Sequence, residues 1–223
     1  MESAREAWGA VERVVADPGA GVDPRFAPWA ATFLAELARW NAVGRLTGYR
    51  EEAARIRHLI LESLLLLRVL PEPAAPVLDI GTGPGVPGLF LKMAHPDWEV
   101  VLIDATRRRV SFVRHVVRIL GLGGIEVLSG RSESLARDRQ WAGRFATVTM
   151  RAVAAPAEAR VLARPFLAPT GRLVLPLGPR TETPAGGVVR EVELAGARGT
   201  LPLRRRFLII DRSEQSVDVP RGT

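Results

Sequence analysis

With 223 residues, 47% apolar and 25% charged, the chain has material for one medium α/β domain with an extra element, and the absence of cysteine excludes a disulfide framework and a thiolate zinc site. The formal net charge of +7 comes almost wholly from arginine, Lys92 being the only lysine; such an excess attracts polyanions, nucleic acid above all, although a solvated arginine-rich surface fits the same number. "MESAREAWGAVERVV" has no signal-peptide pattern, and the longest apolar run, within residues 59 to 70, is broken by Glu62 and Arg68 and too short for a membrane span, so a cytoplasmic protein is expected.

The first 70 residues read as helices. Phe26, Trp29, Phe33, Leu37 and Trp40 recur at steps of three and four and make one apolar face. A second helix is predicted from about Glu51 to Leu70, using Ile56, Leu59, Ile60, Leu64 and Leu67. The break "PEPAAP" then divides an N-terminal helical extension, residues 1–72, from a domain over 73–214, with a polar, fraying tail at 215–223. Beyond the break, strands and helices alternate. "PVLDI", "WEVVLID", "IEVLSG", "FATVTMRAV" and "GRLVLPLG" read as strands, and residues 87 to 94, 107 to 120 and 157 to 167 as helices, the second stopped by Gly121. That alternation predicts a parallel sheet with helices on both faces. "GGVVREVELAG" and "RRRFLIIDR" read as two strands without a helix between them, an antiparallel addition at the sheet edge. The expected fold class is therefore α/β, a Rossmann-like parallel sheet with an antiparallel C-terminal edge and an N-terminal helical extension.

On the helix at 107 to 120, Val110, Val113, Val117 and Leu120 share one face, and Arg107, Ser111, Arg114 and Arg118 another. The second face is either a solvated basic side or a phosphate-contacting stripe.

The stretch "LDIGTGPGVPG", residues 78 to 88, places four glycines behind a buried strand. A glycine-rich turn between strand and helix lets a ligand reach bare backbone and aims helix-start amides at it. Gly83-x-Gly85-x-x-Gly88 matches the dinucleotide pattern, but it starts two residues late after the strand. Taken with Asp79, the order D-I-G-T-G-P-G instead resembles the first motif of class I methyltransferases, which bind S-adenosylmethionine. Asp79 and the glycines Gly81, Gly83 and Gly85 are thus candidate cofactor residues. A carboxylate is tolerable beside an ammonium and a sulfonium but not beside a pyrophosphate. Asp104 ends the next strand, 23 residues after Gly81, where a carboxylate can accept hydrogen bonds from ribose hydroxyls.

In order along the chain, "WNAVGRLTGY", "HLILESLLL", "LDIGTGPGVPG", "LIDATRRRVSFV", "GRSES" and "TMRAVA" resemble the bacterial glucose-inhibited division protein B family over roughly residues 26 to 180. Members are ribosomal RNA small subunit methyltransferases acting on a guanine N7 in a decoding-region hairpin of 16S rRNA. The resemblance implies S-adenosylmethionine as cofactor, with Gly81 and Val86 as loop contacts and Asp104, Ala105 and Thr106 around ribose and adenine. It also places Ser132 and Glu133 near the adenine and makes Arg151 the arginine that reaches cofactor or substrate. Thr106 could equally cap the helix that follows, Glu133 could serve a helix N-terminus, and Arg151 could form a structural ion pair. The chain departs from the family pattern in three places: Arg45 replaces the second asparagine of W-N-x-x-x-N-L-T, Glu62 stands at the acid of H-x-x-D-S, and Leu177-Gly178 replaces Lys-Gly.

Guanine N7 carries a lone pair and no proton, so no general base is required, and the sequence holds no Ser-His-Asp set, metal-spaced cluster or paired carboxylates that would say otherwise. The expected partner is 16S rRNA or the small ribosomal subunit, met by a monomer without metal or membrane. The alternatives are a small-molecule or protein methyltransferase on the same fold, an NAD(P)-binding oxidoreductase, and a non-catalytic RNA-binding protein.

Overall fold

The computed structural model describes residues 3–178, 181, 186–194 and 202–215. Helix α1, Ala4–Ala16, starts at a capping box in which the Ser3 hydroxyl accepts from the Glu6 amide and the Glu6 carboxylate accepts from the Ser3 amide. Helix α2, Phe26–Val43, follows the predicted three-and-four spacing. The second predicted helix forms in three consecutive pieces: α3, Glu52–Arg55, a π-helical turn, Ile56–Leu61, and α4, Glu62–Leu67. In the π turn the Glu62 amide donates to the Arg57 carbonyl, five residues back, so the winding takes up one residue more than an α-turn.

Five strands then run parallel: β1, Val77–Ile80, β2, Val100–Asp104, β3, Ile125–Ser129, β4, Phe145–Met150, and β5, Leu167–Leu177. Between them lie α5, Gly88–Ala94, α6, Arg107–Leu120, the short α7, Ser132–Leu135, and α8, Pro156–Ala163. Gly121 ends α6 in the left-handed conformation, as its position predicts. Strands β6, Val188–Leu194, and β7, Leu203–Asp211, close the sheet in the order β3-β2-β1-β4-β5-β7-β6. The last two join antiparallel, as expected, with β7 inserted between β5 and β6. Residues 216–223, most of the predicted tail, lie outside the described residues.

Alternate residues of the central strands feed two cores. Val77, Val100 and Leu102 face a cluster built with α1, α2, the π turn, α4, α5 and α6, whereas Leu78, Ile80, Val101 and Ile103 face one built with α8. The N-terminal helices therefore share a core with the sheet. Phe33 of α2 packs edge-on to Phe90 of α5 and Phe112 of α6, with centroids at 4.8 and 5.6 Å. Each of these buried rings contributes about 1.5–3 kcal/mol through apolar area removed from water. On α6 the buried set is Val110, Phe112, Val113 and Val116; Val117 and Leu120 are half-buried, so the apolar face is rotated from the predicted one toward α2. No described helix is long and apolar enough to cross a membrane.

Candidate active site

Strand β1 pairs with β2 on one side and β4 on the other, with Ile80 level with both Ile103 and Met150. The residues that follow these three positions, Gly81, Asp104 and Arg151, therefore emerge side by side. Strand order reverses here, and in open α/β sheets the crevice outside the carboxyl ends at such a point is the ligand site. A cavity of about 620 Å³ occupies it, lined by the loop after β1, by Asp104, Ala105, Thr106 and Arg109, and by residues 151–153. Its remaining wall is the segment Leu46–Tyr49, hung from α2: the Asn41 side-chain oxygen accepts from the Leu46 and Thr47 amides at 2.7 and 3.2 Å.

The loop is held by carboxylates behind it. Gly81 and Thr82 donate to the Ile103 carbonyl, and the Gly83 amide donates to Asp104 Oδ2 at 2.8 Å. Gly81 has φ +67°, and a Cβ there would come within 2.4 Å of Val153 Cγ2. At Gly88 the constraint is close approach: a Cβ would lie 2.3 Å from Leu102 Cδ2, so only glycine lets α5 seat on the sheet. Asp104 accepts from the Thr106 amide at 2.8 Å and lies 3.5 Å from Arg109. It keeps its place on the cavity wall with acceptor capacity to spare.

The sequence-predicted residues divide. Gly81, Gly83, Val86, Asp104, Ala105, Thr106 and Arg151 line the cavity together. Asp79 does not. It faces the underside of the loop, fully buried, where its Oδ2 accepts from the Thr82 hydroxyl at 2.6 Å and the Gly88 amide at 2.9 Å. The loop it shapes stands between Asp79 and any ammonium. Gly85 also faces away from the cavity, toward Leu89 and Val113, where it serves packing. Ser132 and Glu133 open α7 after β3, one strand farther from the reversal point, and neither lines the cavity. The exposed Glu133 carboxylate turns back on its own helix start, where its amide and the Ser132 hydroxyl hold its pKa below the ordinary value. Thr106 precedes α6 but makes no side-chain cap. Arg114 leaves the proposed basic stripe, its guanidinium donating to the Val127 carbonyl at 2.7 and 3.1 Å.

Burial raises the Asp79 pKa to about 7, outweighing the Thr82 and Gly88 hydrogen bonds and the Arg151 charge, and Asp104 adds to the rise. Its folded pKa thus exceeds its unfolded one. Between the ordinary carboxylate value and about 7, the native chain keeps a proton that the unfolded chain has lost, and stability falls as pH rises through that window. Urea unfolding of Asp79→Asn is expected to lack this contribution, its pH slope there being shallower than wild type by up to about 1.4 kcal/mol per unit. Equal slopes would show that Asp79 stays ionised throughout.

A second cavity, about 880 Å³, adjoins the first and shares Tyr49, Arg151 and Ala152 with it. Its walls include the end of β5, where Leu177 is buried, and Arg204, Arg205 and Arg206 of β7. Ala152 takes φ +54°, the only positive value at a non-glycine among the described residues; strain of this kind costs about 1–3 kcal/mol and collects at functional sites. His58 and Glu62 also line this cavity. His58 Nδ1 lies 2.6 Å from Glu62 Oε1, to which Arg205 donates as well, and Arg151 donates to the His58 carbonyl while standing 4.0 Å from Glu62 Oε2. Arg151 thus has both of its expected characters, a cavity position and an acidic neighbour. Tyr49 stacks on His58 with centroids 4.7 Å apart.

Sequence reading does not bring this second cluster together, since His58 and Glu62 lie far along the chain from Arg151 and Arg205. One signal was available. Three residues separate His58 from Glu62, the i, i+4 spacing that puts two side chains on one face of a helix.

The sequence model of the GidB family, rRNA small subunit methyltransferase G, matches residues 28–194. Ribosomal RNA small subunit methyltransferase G of Chloroflexus aggregans is 41% identical over 149 residues, covering 66% of this chain and 61% of its own, so the match spans less than two thirds of that relative. The protein of the same name from Moorella thermoacetica is 33% identical over 181 residues, 81% of this chain and 75% of its own. Among solved structures, cofactor-bound Rv0187 from MTB superposes with TM-score 0.56 at 18% identity, over 83% of this chain and 90% of that one. A predicted O-methyltransferase from Agrobacterium tumefaciens gives 0.51 at 19%, over 67% and 80%. Likenesses at this level of identity speak to the fold alone.

Proposed function

Because this chain belongs to the GidB family of rRNA small subunit methyltransferases, we propose that it transfers a methyl group from S-adenosylmethionine to N7 of a guanine in the 16S rRNA of the small ribosomal subunit. The observation that carries this reading is a pair of adjoining cavities with a common wall of Tyr49, Arg151 and Ala152. The first has what an adenosyl ligand requires: exposed loop backbone at Gly81, Gly83 and Val86, and a wall carboxylate at Asp104 with the neighbouring Ala105 and Thr106. When bound there, S-adenosylmethionine supplies an electrophilic sulfonium methyl group. The second cavity, walled by arginine, suits an RNA segment.

The protein's tasks are positional. The attacking N7 bears no proton, so no side chain has to remove one, and His58, the one histidine lining either cavity, is already engaged by Glu62. Arg151, at the shared wall, is placed to orient the base against the first cavity, and the Leu46–Tyr49 segment covers that cavity from water. In this reading the protein acts as a monomer, and the proposed substrate places it in the cytoplasm.

Incubation with labelled S-adenosylmethionine and small-subunit particles from a strain lacking the modification is expected to yield labelled 7-methylguanosine in 16S rRNA. Absence of label, with S-adenosylhomocysteine binding demonstrated, would reject the reading.

A further inference from the structure

We propose that Glu62 is the specificity residue of the second cavity, its carboxylate accepting hydrogen bonds from N1–H and the 2-amino group of the target guanine. This rests on the methyl-transfer reading above.

The cavity wall carries Arg151 and Arg204 to Arg206, suited to phosphate, and two carboxylates, of which Glu191 is exposed to solvent and Glu62 is the more buried. A carboxylate in that setting repels phosphate and faces something that brings donors. Glu62 Oε1 is taken by His58 and Arg205. Oε2 has no such bond: Arg151 stands 4.0 Å from it, beyond hydrogen-bonding distance. Two of about four acceptor positions are therefore used and two remain. Burial opposes ionisation, but the His58 and Arg205 hydrogen bonds and the charges of Arg205 and Arg151 outweigh it and hold the pKa below the ordinary carboxylate value. The group thus stays a pure acceptor at neutral pH.

Among the four RNA bases, two adjacent donors on the Watson–Crick edge occur only in guanine. Adenine and cytosine present a ring acceptor beside their amino group, and uracil one donor between two carbonyls. Guanine N7 lies on the opposite edge. A base held at Glu62 by N1 and the 2-amino group turns N7 away from it, and Glu62 lines the second cavity alone. The two cavities meet beside Glu62, at Tyr49, Arg151 and Ala152, so a base held there reaches past this wall toward the first cavity. Recognition and reaction thus fall on opposite edges of one ring.

The competing role for Glu62 is to neutralise Arg151 and Arg205. Its loss would then lower activity on every base alike. Inosine separates the two, since it keeps N7, O6 and N1–H and lacks only the 2-amino group. Small-subunit particles would be reconstituted with 16S rRNA carrying guanosine or inosine at the position where mass spectrometry locates the wild-type product. The wild-type protein is expected to show kcat/KM about 10- to 100-fold lower on inosine, the usual effect of one hydrogen bond to a charged acceptor. In Glu62→Gln the guanosine-to-inosine ratio should fall to within about threefold of unity, while Glu62→Asp retains discrimination. Calorimetry with S-adenosylhomocysteine should show unchanged affinity in both variants and so verify their fold. Equal wild-type rates on the two bases, or an undiminished ratio in Glu62→Gln, would overturn the assignment and leave the methyl-transfer reading standing. Wild-type transfer to neither RNA would remove both.

Discussion

Gly81→Val is expected to weaken S-adenosylhomocysteine binding by at least about 100-fold, measured by titration calorimetry, through strain and filled space together. The φ of +67° is costly for any side chain and worst for a β-branched one, and the new Cβ would sit 2.4 Å from Val153 Cγ2, inside contact distance. Val153 belongs to the segment after β4 that lines the same cavity, so relief of the clash must move either the loop or that segment, and both are walls of the site. Gly83→Ala is the control. Its φ is +60°, but no atom lies within 4 Å of the added methyl group, and the amide that donates to Asp104 remains. That variant should lose about 1 kcal/mol of stability and little affinity. If Gly81→Val bound as well as Gly83→Ala, the cavity beneath the loop would not be the adenosyl site.

Arg151→Ala should lower kcat for methyl transfer to RNA by about 100- to 1,000-fold, the range found when a preorganised donor at a reacting group is removed. Arg151 emerges beside Gly81 because β4 pairs with β1, and it lines both cavities. Its guanidinium is fixed from behind by the His58 carbonyl, with Glu62 nearby. Lysine would offer a single point charge in place of the flat guanidinium that bonds the His58 carbonyl, so Arg151→Lys is expected to rescue little. Steady-state kinetics should show the loss mainly in kcat, with KM for S-adenosylmethionine altered less. A variant retaining more than about a tenth of wild-type kcat would reduce Arg151 to the structural ion-pair role.

Much of the cofactor half of the site could be read along the chain, because its determinants are local. "VLDI" and "VVLID" read as buried parallel strands because helices cover both their faces, and their ends fix Gly81 and Asp104 without reference to anything distant. Asp79 shows the limit of such reading. Its spacing before the glycines is that of a ligand residue, yet position 79 shares the inward face of β1 with Val77, which puts the carboxylate under the loop and not over it. Ser132 and Glu133 follow β3, the strand beside β2 at the sheet edge, and lie outside the lining of the first cavity. Arg114 was placed correctly on its helix, but the free carbonyl of Val127 that captures it belongs to the next strand. The second cavity was harder to read because it joins Tyr49, Glu62, Arg151 and Arg205 across most of the chain, and their meeting depends on β7 entering between β5 and β6.

The position of β7 also sets the order in which the protein acquires its parts during translation. Every residue lining the first cavity lies before position 154, so a nascent chain carries the whole of that cavity while β6 and β7 are still unmade. Arg204, Arg205 and Arg206 come well after those residues, and β6, although synthesised before them, pairs with the sheet only through β7. The proposed RNA-binding wall is therefore made only after every residue of the proposed cofactor cavity, and the two halves of the site become available in that order.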